Sequence, residues 1–280
     1  MLMISIVIPT YNRAHQICEA LDSILSQSYE QWECIIVDDH SEDNTYSVLQ
    51  EYCKRDNRFI YTENQRTKGA QGARNTGIRI ARGKWICLFD SDDIMYPQYL
   101  EEMLKAVDLD VDVLVCQADI YSTRTGQKVG LLDRINSDEM HIDLLKEKAY
   151  IGYDVTLIKR DKLLEIDMLD ENCPSMQEWD THIRLSRIAK YKAVDKPLCE
   201  WRVGGDDTIT HNSNKHLMGL LYIYLKHRKD FRKYAYRHFL NSMSKLFGQC
   251  HNKLALIVRV PELIFFMPLK KFYNFIHGNY

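Results

Sequence analysis

Short β-branched runs separated by helical periods recur through the first hundred residues, and that alternation leaves the chain few architectures to choose from. Residues 4–9 are a continuous apolar run, and residues 34–37, 59–62 and 84–89 repeat it. Between these runs, residues 14–27 place Ile17, Ala20, Leu21, Ile24 and Leu25 on one helical face. Ser41 or Asp43 is suited to cap a helix running to Tyr52, and residues 72–81 read as a third helix. Strands with no wet face, joined by helices, pair in parallel, which predicts a doubly wound α/β sheet. Further along, residues 111–116 and 155–158 read as strands, and 120–122 with 127–131 as a hairpin around Thr125-Gly126.

In such sheets ligands lie beyond the carboxyl ends of the strands. The polar residues that stand out all follow strands: residues 10–13, 38–41 and 90–93. The last group is Asp90-Ser91-Asp92-Asp93, directly after the apolar Trp85-Ile86-Cys87-Leu88-Phe89. Three carboxylates in four positions repel one another unless a cation is placed among them, and hard oxygen donors suit Mg²⁺ or Mn²⁺. The plainer reading is an acidic turn whose Ser91 or Asp92 caps the helix that Pro97 opens. The first glycine is Gly69, so neither a P-loop nor a dinucleotide fingerprint can follow the first or second strand. A bound nucleotide would have its charge met by a metal and by side chains, which Asp90, Asp92, Arg13 and Arg74 can supply.

Ile6-Val7-Ile8-Pro9-Thr10-Tyr11-Asn12-Arg13, Val37-Asp38-Asp39-His40-Ser41, Gly72-Ala73-Arg74-Asn75-Thr76-Gly77-Ile78 and Phe89-Asp90-Ser91-Asp92-Asp93 occur in that order. Together they resemble the nucleotide-sugar-binding half of a family 2 inverting glycosyltransferase with the GT-A fold, a Rossmann-like, mostly parallel central sheet flanked by helices. The resemblance is close over residues 1–105, the donor half, and looser over 106–214, the acceptor half, with a helical extension over 215–280. It implies that Tyr11 flanks the base, that Asp39 bonds its edge, and that Pro9, Arg13, Arg74 and Arg202 line the donor site. An aromatic face stacks on any base, a carboxylate accepts from an imide N–H, and a guanidinium gives bidentate contacts to a diphosphate. Asp38 is divided between a ribose contact and a helix cap. Asp90 is expected at the ribose or the ion, Asp92 on the ion, Asp93 ordering the loop, and Asn75 and Gly77 shaping loop and helix packing.

A second constellation, Gln177-Glu178-Trp179-Asp180, opens a helix with Ile183, Leu185, Ile188 and Ala189 at helical spacing. The family usually has Glu-Asp-Trp here, whereas this chain has Gln-Glu-Trp, so the acid before the tryptophan is Glu178. Inverting transfer needs one carboxylate to take the acceptor hydroxyl's proton, a role given to Glu178 with Asp180 as its rival. Asp180 also reads as a first-turn acid favoured by the helix dipole. Trp179 is expected to wall the sugar or acceptor, or else to pack in the core. Relatives often carry a histidine two residues after the arginine of Trp201-Arg202-Val203-Gly204, where this chain has Gly204. Asp206, Asp207 and His211 are substitutes as a third ligand, and the segment could equally be a turn that closes over the donor.

The resemblance thus implies transfer from a nucleoside-diphosphate sugar to a hydroxyl of a glycan or lipid-linked oligosaccharide, as in surface polysaccharide synthesis. Tyr11 with Asp39 favours uridine. A sugar nucleotidyltransferase should carry glycine in the loop after the first strand, and 10–14 has none. A glycosidase has no use for an ion motif. A non-catalytic nucleotide-sugar scaffold would not need both Asp92 and Glu178.

Charge separates the tail from the rest. From Lys215 onward, 12 basic residues face only Asp230 and Glu262, a net +10, leaving −12 on residues 1–214 of a chain whose total is −2. Residues 217–225, 231–247 and 254–275 are amphipathic or aromatic. They suit packing on the transferase core, association with a second copy, or peripheral contact with an anionic membrane. No nucleic-acid module accompanies the charge. Eight scattered cysteines without a C-x-x-C pair, and no leader or spanning segment, suggest the cytoplasm or the inner face of its membrane.

Overall fold

The computed structural model describes residues 2–133, 137–204 and 213–249. The donor half runs β1 (Ile4–Thr10), α1 (Ile17–Leu25), β2 (Trp32–Asp38), α2 (Thr45–Arg55), β3 (Phe59–Glu63), α3 (Ala70–Ile80), β4 (Trp85–Leu88), β5 (Ile94–Met95) and α4 (Tyr99–Lys105). There follow β6 (Val113–Ser122), β7 (Lys128–Leu132), α5 (Met140–Leu145), β8 (Thr156–Lys159), α6 (Arg160–Glu165), α7 (Gln177–Leu185) and β9 (Tyr191–Val203). The chain then forms α8 (Ser213–Lys226), α9 (Arg228–Tyr234) and α10 (Tyr236–Gln249).

The strands make one sheet in the order β3-β2-β1-β4-β8-β6-β9-β5, with β7 paired to β6. The first four are parallel. Side chains of β1, β2 and β4 are buried on both faces, as the apolar runs require, from Ile4, Ile6 and Ile8 to Ile86 and Leu88, while the edge strand β3 buries only Phe59. α3 comes down closely on this sheet: a Cβ at Gly77 would stand 2.3 Å from Val7 Cγ1. Glycine there is what lets the helix carry Arg74 over the ends of the strands.

The second half is mixed. β8 runs antiparallel to both β4 and β6, while β9 is parallel to β6 and antiparallel to β5. The 13-residue β9 and the two-residue β5 were not anticipated, and β6 is one ten-residue strand where a strand and half a hairpin were expected. β9 alternates too little to be read from its sequence: Lys192, Asp195 and Lys196 interrupt its apolar residues.

α8 to α10 pack on protein. Ile223, Tyr224, Phe231, Phe239 and Met243 are buried, and the rings of Tyr224 and Phe231 meet Trp179 edge-on at 5.6 and 6.1 Å. Gly219 lies so close to Ser175 that a Cβ would fall 2.0 Å from Ser175 Oγ, which backs α8 against the turn leading into α7. One helix expected over 231–247 is two, broken at Ala235. Residues 254–275, on which the membrane reading rested, lie outside the described residues. Among the described residues no helix is long and apolar enough to cross a membrane.

Candidate active site

The parallel strands end in two laced loops. After β1 the chain turns through Asn12 at φ 52°, and after β2 through His40 at φ 65°, left-handed positions that a histidine or asparagine tolerates better than most side chains. Ser41 Oγ accepts from the Asn12 amide at 2.8 Å, and Asn12 Oδ1 accepts from the Glu42 amide at 2.8 Å. This pairing fixes Tyr11 and Arg13 on either side of Asn12. Tyr11 is 40% exposed with Lys68 Nζ 4.9 Å above its ring. The Arg13 amide donates to Thr45 Oγ1 at 2.9 Å. Pro9 is half-buried in β1, in register with Val37.

Asp38 and Asp39 diverge. Asp38 accepts from the Ser41 amide at 3.0 Å and from Ser41 Oγ, and Tyr61 Oη approaches at 3.5 Å, so Asp38 holds the turn after β2. Of its two readings the turn has the observed partners. Asp39 Oδ1 accepts from Asn64 Nδ2 at 2.6 Å and Oδ2 from the Gly69 amide at 2.7 Å, which draws the loop after β3 toward it. Gly72 lets that loop fold onto α3, since a Cβ there would lie 1.9 Å from the Thr67 carbonyl oxygen.

At the end of β4 the carboxylates of Asp90, Asp92 and Asp93 present oxygens all within 4.8 Å of one another. At an effective dielectric near 20, two ionised carboxylates at such a spacing repel by about 3 kcal/mol. Burial and the neighbouring Asp90 charge push the Asp92 carboxyl up, opposed by Arg13 and Arg74. Burial, with the charges of Asp154, Asp92 and Asp90, pushes Asp93 well above the ordinary range. The spacing and the hard oxygen donors fit one divalent cation. Asp93 Oδ1 also accepts from the Arg202 amide at 2.8 Å, which ties the acidic loop to β9.

Arg74 is the cation of the cluster. It is buried and ion-paired with Asp90, its NH1 donates to Gln71 Oε1 at 3.1 Å, and its guanidinium lies 4.7 Å from the centre of the Tyr153 ring. Burial alone would lower its basicity, but Asp90, Tyr153 and Glu178 hold the proton on. Its Nε–H has no acceptor among the described residues. Sequence reasoning missed what lies beneath it. Asp154, 7% exposed, accepts from the Asp90 amide at 2.6 Å, and burial with the Asp90 charge drives its carboxyl well up. Its only signal was an acid preceding a strand, in Gly152-Tyr153-Asp154-Val155.

Glu178 comes into the same site from α7. Burial raises its pKa, Arg74 counters, and Asp90 adds to the rise. Among the described residues no side chain hydrogen-bonds its carboxylate. The turn before it is left-handed at Met176, φ 57°, an unusual conformation for a long side chain and a local strain on the order of 1–2 kcal/mol.

Three expected site residues have their side chains engaged elsewhere. Asp180 is fully buried, and its oxygens accept from His227 Nε2 at 2.7 Å, Lys226 Nζ at 2.8 Å and Arg184 Nε at 2.9 Å. Burial raises its pKa, yet the His227 hydrogen bond and the Arg184 and Lys226 charges outweigh this and hold the carboxyl well below the usual range. A carboxylate so compensated is a poor proton acceptor, and its bonds anchor α7 to α8 and to His227. Trp179 is likewise in the core, 5% exposed, its Nε1 donating to the Leu144 carbonyl at 2.9 Å. The Arg202 side chain pairs with Glu19 and lies 3.7 Å from Glu200, while its amide serves Asp93. Asp206, Asp207 and His211 lie outside the described residues.

Residues 5–166, more than half of the chain, match the family model described as "Glycosyl transferase family 2". An uncharacterized glycosyltransferase of Methanocaldococcus jannaschii is 25% identical over 247 residues, 86% of this chain and 83% of that protein. Another, from Rickettsia bellii, is 29% identical over 79% of this chain, which spans only 31% of that relative's length. The Escherichia coli UDP-Glc:alpha-D-GlcNAc-diphosphoundecaprenol beta-1,3-glucosyltransferase WfgD is 41% identical over 103 residues, 37% of this chain and 40% of that one. Among solved structures, Staphylococcus aureus TarS 1–349 in complex with UDP-GlcNAc has a TM-score of 0.62 at 15% identity, covering 88% of this chain and 81% of that one. The mannosyltransferase PcManGT of Pyrobaculum calidifontis, in complex with GDP-Man and Mn²⁺, has a TM-score of 0.60 at 18% identity over 96% and 82% of the two chains. The sheet and its helices are those of the GT-A fold.

Proposed function

The chain belongs to glycosyl transferase family 2, and from that premise we propose that it transfers a sugar, with inversion, from a nucleoside-diphosphate sugar to a hydroxyl of a glycan or lipid-linked acceptor. The observation that carries the reading is the convergence, at the ends of parallel strands, of Asp90, Asp92 and Asp93 within 4.8 Å with Arg74 paired to Asp90 and Glu178 close enough to feel both.

Asp90 and Asp92 would hold Mg²⁺ or Mn²⁺, which when bound screens charge on a departing diphosphate. Tyr11, exposed beside Lys68, offers a face to the base, and Asp39 retains lone pairs for its edge. Arg13 and Arg74 bring positive charge to the diphosphate. Glu178 takes the proton from the acceptor hydroxyl while that oxygen bonds to the anomeric carbon. The carbon–oxygen bond to the diphosphate breaks on the opposite face and leaves its electron pair on phosphate oxygen. A carboxylate with a raised pKa and no side-chain hydrogen bond among the described residues is suited to accept that proton. The names of relatives supply the substrate classes: a UDP-glucose donor and a diphosphoundecaprenol-linked sugar acceptor for WfgD, and nucleotide sugars bound to TarS and PcManGT. A UDP-sugar and a surface-polysaccharide intermediate are the corresponding proposals here.

The test is a panel of UDP-, GDP- and dTDP-sugars scored by nucleotide release with Mn²⁺ and with EDTA, beside calorimetry of UDP binding. We expect Mn²⁺-dependent UDP release, and in Asp92→Ala a loss of Mn²⁺-dependent affinity of about tenfold or more. No heat with UDP and Mn²⁺, or an unaltered Asp92→Ala, would defeat the reading.

A further inference from the structure

One aromatic pair beside the site has no part in the chemistry above. Tyr150 and Trp201 are stacked with ring centroids 5.9 Å apart and planes 17° from parallel. Tyr150 is 43% exposed, and Trp201 is only partly buried. A tyrosine that merely filled the core would be covered, and its hydroxyl would find a partner. The Tyr150 hydroxyl has none among the described residues, while its surroundings include the charges of Glu178, Asp154 and Asp90.

Both halves of the pair are tethered to the acidic cluster. Trp201 precedes Arg202, whose amide donates to Asp93 Oδ1 at 2.8 Å. Tyr150 opens the segment containing Tyr153, under the Arg74 guanidinium, and Asp154, which holds the Asp90 amide at 2.6 Å. One anchor lies in β9 and the other in the segment leading into β8, and together they bring two rings into a parallel stack next to the site. The same segment reaches the helix of the proton acceptor, since the Tyr153 hydroxyl and Thr181 Oγ1 are hydrogen-bonded at 2.9 Å and Thr181 lies one turn along α7 from Glu178.

We infer that Tyr150 and Trp201 form a platform on which a pyranose ring of the acceptor lies flat, presenting its hydroxyl to Glu178. The inference rests on the transferase reading. A centroid spacing of 5.9 Å leaves no room for a sugar between the rings, so the acceptor lies on an exposed outer face of the stack. The axial C–H groups of a pyranose meet an aromatic face well, and a second ring stacked behind the first holds that face in place. Sugar hydroxyls project sideways, where the base can reach one of them.

The probe is a set of methyl glycosides of glucose, galactose and N-acetylglucosamine, offered to the full chain with the UDP-sugar that it hydrolyses and Mn²⁺. In the wild type at least one glycoside accelerates UDP release above the rate with water alone. Tyr150→Ala and Trp201→Ala each raise KM for that glycoside about tenfold, a loss of about 1.4 kcal/mol, with donor KM and the water-only rate within about twofold of wild type. Tyr150→Phe keeps the wild-type KM, because stacking needs the ring and not the hydroxyl. Unchanged glycoside KM in both alanine variants overturns the platform, as does an equal loss of donor affinity, which would assign the rings to the nucleotide sugar. So does a Tyr150→Phe defect as large as that of Tyr150→Ala. UDP and Mn²⁺ binding without acceleration by any glycoside also counts against it, whereas absence of UDP binding in the wild type strikes the transferase reading itself.

Discussion

α7 carries two acids two residues apart, and the molecule treats them in opposite ways. Glu178 is half-buried near Arg74 without a hydrogen-bonding side chain among the described residues, and its pKa is raised. Asp180 is fully buried, bound by His227, Lys226 and Arg184, and its pKa is lowered. The first is left under-compensated, the condition in which a carboxylate accepts a proton. The second is compensated by three donors, the condition in which a carboxylate holds helices together. The His227 ring shows how complete the second arrangement is: Arg187 NH2 can only donate, so Nδ1 accepts at 2.8 Å and Nε2–H is directed at Asp180.

The sharpest way to break the contrast is to neutralise each acid in turn. Glu178→Gln preserves shape, so UDP and Mn²⁺ affinity should stay within about twofold while glycosyl transfer falls by about 10³, the usual scale for losing a general base. Its chemical denaturation midpoint should not fall, since a buried carboxylate with a raised pKa costs stability when ionised. Rates of transfer in the wild type should decline as pH drops through the raised Glu178 value. A Glu178→Gln enzyme with normal turnover would pass the base role to another residue.

Asp180→Ala should act on the other axis. Removing Asp180 leaves Arg184 Nε and His227 Nε2 without an acceptor in a buried site and Lys226 with Asp170 alone, with an expected loss of about 3–5 kcal/mol in urea unfolding. Because α8 and α9 contact α7 through this cluster and through Trp179, the loss should be cooperative with the whole domain. A variant that is stable but inactive would contradict the structural assignment of Asp180.

The same contrast explains what was legible in the sequence. The four parallel strands and their ligand-bearing ends were readable because buried parallel strands are apolar throughout and change to polar at one boundary, as at Phe89-Asp90. Tyr11, Arg13, Arg74, Asp90, Asp92 and Glu178 were named from such boundaries and from the family resemblance. Asp154 and Tyr153 were not, because Asp154 meets Asp90 across 64 residues of sequence, Tyr153 meets the distant Arg74, and neither has a local pattern. Asp180 and Trp179 were left between two readings for a related reason. Their partners, Lys226, His227, Tyr224 and Phe231, lie in a tail that sequence alone could place either on the protein or away from it. β9 escaped because Lys192, Asp195 and Lys196 break any regular alternation, and its pairing with β6 is long-range.

A smaller effect should appear at Glu171, which belongs with Asp180 in being compensated but serves the donor loop. Its carboxylate accepts from Asn75 Nδ2 at 2.8 Å and the Thr67 amide at 3.3 Å, and it pairs with Arg66. Burial would raise its pKa, but those hydrogen bonds and the Arg66 charge bring it down to about 2 from 4.5. A lowered folded-state value means that the unfolded chain binds the proton more readily. The stabilisation is therefore present above pH 4.5 and is lost as pH falls through about 2. With a side chain 13% exposed, the contribution near neutrality should be on the order of 1–2 kcal/mol after allowing for solvent screening. Glu171→Gln should lower the melting temperature at pH 7 by a few degrees, on the order of 2–6 °C, and the difference from wild type should shrink steadily as pH is lowered from 4.5 toward 2. Thr67 leads to Gly69, whose amide bonds Asp39, so loosening this anchor should also weaken UDP affinity by about two- to threefold without altering the turnover of bound donor. A constant melting difference across that pH range would mean that Glu171 acts through packing, and its charge would then have no part in holding the loop.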